Sequence, residues 1–96
     1  GGFPAIPIML TLLSKGQSCR ATLVERTQKK CGALRRIGLR LDLDRADSRF
    51  DILNQNFEEC TFHREFDLIT LRYVTLTEGL LKIIKGLLKR LLWIME

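Results

Sequence analysis

IGLRLDLD, residues 37–44, has the clearest two-residue period in the chain: Ile37, Leu39, Leu41 and Leu43 alternate with Gly38, Arg40, Asp42 and Asp44. Alternation of this kind marks a strand with one face in a core and one in water. It predicts that Leu39 and Leu41 are buried, and it makes strands the organising elements of the fold.

Upstream, Pro4 and Pro7 make residues 1–7 an extended lead-in, with Gly1 and Gly2 as a candidate cloning scar. IMLTLLS, residues 8–14, has the length and apolarity of a buried strand, and Lys15-Gly16-Gln17 is a turn. In SCRATLVERTQKK, residues 18–30, Cys19, Ala21 and Leu23 alternate with polar neighbours and favour another strand. A helix over residues 18–36 is the alternative, giving a pattern similar to ferredoxin-like or ACT-like layouts. Cys31-Gly32-Ala33 interrupts this segment.

Downstream, Ala46-Asp47-Ser48 is turn chemistry, RFDIL restarts an apolar pattern and NQN ends it. Residues 59–76 are rich in β-formers, with Cys60, Phe62 and Phe66 alternating against Thr61, His63, Glu65 and Asp67. The expected fold is therefore α+β, an antiparallel β-sheet of about four to five strands with a C-terminal amphipathic α-helix packed on it. At 96 residues and 46% hydrophobic content the chain suits one core, so residues 1–96 are read as a single domain.

The expected helix covers residues 78–96, EGLLKIIKGLLKRLLWIME. Thr77 is a good N-cap, Glu78 suits the positive end of the helix dipole, and Lys89 and Arg90 lie toward the negative end. At about 100° per residue the leucines and isoleucines fill roughly half the circumference, and Lys82, Lys85, Gly86, Lys89 and Trp93 stand opposite. A helix resting on one sheet needs an apolar stripe of only about 100°. The surplus points to a partner, with Trp93, Lys82, Lys85, Lys89 and Arg90 as the contact residues. A membrane interface is the other destination for a basic helix of this composition.

Chemistry-bearing patterns are weaker. Three cysteines, Cys19, Cys31 and Cys60, without a C-x-x-C pair argue for reduced thiols in an intracellular, cytoplasmic setting. Asp42 with Asp44, and His63 with Glu65 and Asp67, share strand faces and could in principle gather a divalent metal, but the solvent face of any sheet offers such residues, so no metal site is assigned. His63 alternates with Cys60 in a way that turns the two apart, so no Cys-His pair and no catalytic residue is assigned. No G-x-G-x-x-G, P-loop or H-E-x-x-H occurs.

The net charge is +5, and Arg26, Lys29, Lys30, Arg35, Arg36 and Arg40 form a basic tract that could track a phosphate backbone, though without interleaved aromatics. The reading that follows is a small, non-enzymatic interaction or regulatory protein that binds a protein partner or a second copy of itself through its C-terminal helix. A nucleic-acid-binding module using residues 26–40 comes second and membrane-interface binding third. No cofactor and no small-molecule substrate is indicated.

Overall fold

A computed structural model describes residues 4–62, 66–70 and 77–87. Helix α1 (Ala5–Ser14) is followed by strand β1 (Cys19–Val24), helix α2 (Gln28–Arg40) and strand β2 (Ser48–Leu53); a single 3-10 turn (Phe57–Glu59) and helix α3 (Glu78–Leu87) come after. The chain divides into two compact units, Gly1–Phe57 and Glu58–Glu96.

The N-terminal apolar run is a helix, against the expectation of an extended lead-in and a strand. Pro4 is its N-cap residue and Pro7 lies in the first turn, where backbone N–H groups have no intrahelical acceptor, so neither ring removes a needed hydrogen bond. The helix ends at Gly16, whose φ of 76° is open to glycine. Its N–H donates to Leu13 O at 3.0 Å and that of Gln17 to Leu12 O at 3.1 Å, which satisfies the last carbonyls. Met9, 1% exposed, is the core residue of α1, which packs on β1.

The decisive stretch, IGLRLDLD, is not a strand. Ile37, Gly38, Leu39 and Arg40 form the last turn of α2, and Asp42, with φ 52°, reverses the chain. Asp42 N–H donates to Leu39 O at 3.3 Å and Leu43 N–H to Gly38 O at 3.0 Å, the two bonds of a Schellman end. That turn sends Leu43 inward, where it is fully buried. The face of α2 turned to the core is Cys31, Leu34 and Gly38. Gly38 is the point of closest approach to the sheet, since a Cβ placed there would come within 2.6 Å of Phe50 Cδ2 on β2. Leu39 is 83% exposed and Leu41 40%, so the expected burial of both is overturned.

Because α2 is a crossover, the two strands it joins run parallel. Their register is continuous, from Cys19 opposite Ser48 to Val24 opposite Leu53. The expected antiparallel sheet of four to five strands is thereby corrected: the sheet among the described residues is two-stranded and parallel, with flanking helices. The entry to β2 is a tight turn in which Arg45 and Ser48 exchange backbone hydrogen bonds, and the buried Ser48 hydroxyl donates to Leu43 O.

In the second unit, the described part of the β-rich stretch, residues 59–62 and 66–70, contains no strand. Phe62 and Phe66 meet there edge to face, with centroids 5.3 Å apart. Thr77 begins α3 as expected, its carbonyl accepting from Leu81 N–H at 2.9 Å, and Ile84 is buried. Residues 88–96 of the expected helix lie outside the described residues.

Candidate functional site

The C-terminal ends of the parallel strands are held together by a small set of polar contacts. Glu25 N–H donates to Leu53 O at 2.9 Å, extending the ladder one step past β1. Asn54, the residue after β2, donates through Nδ2 to the carbonyls of Glu25 at 3.1 Å and Arg26 at 2.9 Å. The Cys31 thiol also donates to Glu25 O, at 3.2 Å. The β1–α2 turn is thus fixed from the neighbouring strand and from the helix it leads into.

This fixing orients the Glu25 side chain. Its Oε1 accepts from the N–H of Thr27, the N-cap residue of α2, at 3.2 Å. Among the described residues Oε2 has no hydrogen-bond partner. Glu25 is half-buried, and Arg26, Lys29 and Lys30 follow it at the positive end of the α2 dipole. A carboxylate held by one oxygen, with the other available, can accept a hydrogen bond from a ligand at the strand ends.

In open sheets of parallel strands with helical crossovers, ligands bind outside the carboxyl ends of the strands, and an acid about 20 residues past a glycine turn accepts from a ribose hydroxyl. Gly1 and Gly2 precede α1, and Glu25 comes 23 positions after Gly2. A parallel pair, a helical crossover and an acid at the end of the first strand are features shared with nucleotide-cofactor α/β units. The chain belongs to the GidB family, rRNA small subunit methyltransferase G, whose profile matches residues 1–95. Comparison with curated proteins and with solved structures returned no match.

Family membership overturns the reading of a non-enzymatic, protein-binding regulator, since the family is one of RNA methyltransferases. The exclusion of small-molecule partners falls with it, because methyl transfer needs a methyl donor. Glu25 was missed. The run CRATLVE, β-forming residues ending in an acid, was the available signal.

The sequence-derived candidates fall as follows. Arg26, Lys29, Lys30, Arg35, Arg36 and Arg40 are all exposed, and the last five lie on α2 rather than on a hairpin. Lys82 is exposed on α3 and Lys85 lies on the same helix, whereas Lys89, Arg90 and Trp93 lie outside the described residues. Asp42 and Asp44 do not share a strand face. Asp42 is the left-handed residue ending α2, and Asp44 faces Arg49 Nη1 at 3.3 Å. His63 and Glu65 lie outside the described residues, and Asp67 is exposed. Among the described residues no group of three or more His, Cys, Asp or Glu could hold a metal ion.

Proposed function

We propose that this chain binds S-adenosylmethionine at the carboxyl ends of β1 and β2 and serves methyl transfer to small-subunit ribosomal RNA. The observation that carries the reading is Glu25, held at the end of the first parallel strand with Oε2 open to a hydroxyl donor, in a chain of the GidB family. When bound, S-adenosylmethionine supplies an electrophilic methyl group on a sulfonium centre. The chain's own contribution begins with Glu25, whose carboxylate would accept a hydrogen bond from a ribose hydroxyl, and with Asn54, which keeps the turn carrying that carboxylate in place.

A cytoplasmic location goes with this reading, because ribosomal RNA is the substrate and Cys19, Cys31 and Cys60 are free thiols suited to a reducing compartment. No helix among the described residues is long and apolar enough to cross a membrane. The test is incorporation of labelled methyl from S-adenosylmethionine into small-subunit ribosomal RNA. The expected result is incorporation that Glu25→Ala strongly reduces. Incorporation no greater than that of the variant would overturn the proposal.

A further inference from the structure

The basic tract is not used by the site at the strand ends, and its placement on α2 gives it a direction. Cys31, Leu34 and Gly38 face the core, so at about 100° per residue Lys29, Arg36 and Arg40 fall on the opposite, outermost line of the helix. Lys30 and Arg35 lie more than about 100° from that line, one on each side of the core face, and are not part of it. The helix QKKCGALRRIGLR contains no acidic residue, and among the described residues none of its five cations is in an ion pair. Arg36 lies back along the helix, its Nη1 3.7 Å from where a Gly32 Cβ would stand, so the ridge is continuous from one turn to the next.

The first turn is also charged the wrong way for helix stability. Lys29 and Lys30 sit at the positive end of the dipole, the turn carries no acidic residue, and the Thr27 side chain makes no cap. That positive end adjoins Glu25, so the ridge runs outward for about 16 Å, at ~1.5 Å per residue, from the edge that would hold the methyl donor.

We infer that the Lys29–Arg36–Arg40 ridge of α2 is a docking surface for the phosphate backbone of the RNA substrate, leading that RNA to the strand ends. The inference rests on the reading of the chain as an RNA methyltransferase. Charge complementarity selects the occupant: a row of unpaired cations fits a row of phosphates, and with no aromatic residue on α2 to stack on bases the contact is independent of sequence.

Anisotropy of a fluorescein-labelled RNA hairpin, titrated with the full chain at several KCl concentrations, tests it. Lys29→Ala/Arg36→Ala/Arg40→Ala should weaken binding on the order of tenfold or more and flatten the log–log salt slope by about 2, given ~0.7–0.9 per phosphate contact. Arg20→Ala/Arg45→Ala/Arg49→Ala removes the same charge elsewhere and should change binding much less. A second hairpin of unrelated sequence should show the same dependence on the ridge. Equal losses in the two triple variants, or an unchanged slope in the first, would overturn the inference. Titration of the unaltered chain with S-adenosylmethionine separates the two readings: binding of the donor without RNA removes the ridge and leaves the cofactor site, whereas ridge-dependent RNA binding without the donor does the reverse.

Discussion

One side-chain amide, Asn54, holds the turn on which the candidate site depends. Both of its bonds go to carbonyls of the turn after β1, which otherwise have few partners at the end of the ladder. With each bond contributing ~0.5–1.5 kcal/mol, Asn54→Ala should lower unfolding free energy by about 1–2 kcal/mol, seen as a lower urea midpoint at unchanged slope. No shift in the midpoint would show that the turn holds itself. Cys19 gives a second test at this scale, because burial raises its thiol pKa above the ordinary value. Its contribution to stability is complete below the thiol pKa of the unfolded chain and is lost as pH rises through the higher folded one. Alkylation of Cys19 should therefore need a higher pH in the native chain than in urea, and coincident profiles would contradict the burial. Glu25 was not singled out by the sequence, since no complete glycine fingerprint marks it and an acid at a strand end is common. Asn54 was not readable, because the NQN stretch looks like any turn and its value lies in carbonyls 28 and 29 residues away.

Helix α2 decides between the two folds, and a pair of substitutions tests it. On a strand, Leu39 would be a core residue and its truncation would cost about 2–5 kcal/mol. On α2 it is 83% exposed, so Leu39→Ala should change stability by no more than about 0.5 kcal/mol. Gly38 reverses the ranking. A side chain there meets the Phe50 ring, so Gly38→Val should cost about 2–3 kcal/mol through overpacking. A large loss for Leu39→Ala with a neutral Gly38→Val would restore the strand. The alternation misled for a physical reason. In the last turn of α2 the small residue is the one that faces the sheet, and the Schellman end then places Leu43 inward two positions past the exposed Leu41. A period of 2 arose from a helix end and a turn. β2 was legible, since RFDIL keeps its apolar pattern between clear turn residues, and so were the Gly16 turn and the Thr77 helix start. α1 was not, because Pro4 and Pro7 read as breakers when the first turn tolerates both.

For the molecule as a whole, the difference between a parallel and an antiparallel pairing is a difference in function. Antiparallel strands with one wet face suggest a platform for a partner, whereas a parallel pair joined by a helix creates a polar edge where loops and helix N-termini converge. The expectation of a partner-binding protein followed from the wide apolar face of residues 78–96 and Trp93, and the chain's membership of an rRNA methyltransferase family overturns it. What the sequence could not reveal was strand direction, because β1 and β2 pair across the whole of α2 and nothing local to either strand encodes that. The central claim is that the strand ends bind a nucleoside methyl donor through Glu25. Calorimetric titration of S-adenosylmethionine into the chain tests this most directly, with Glu25→Ala and Asp44→Ala in parallel. The account predicts saturable binding at one site, weakened by roughly ten- to a hundredfold by Glu25→Ala, as loss of a charge-assisted hydrogen bond of ~1.5–3 kcal/mol requires, and unaffected by Asp44→Ala. Binding that is absent, or that ignores Glu25 and responds to Asp44, would contradict it.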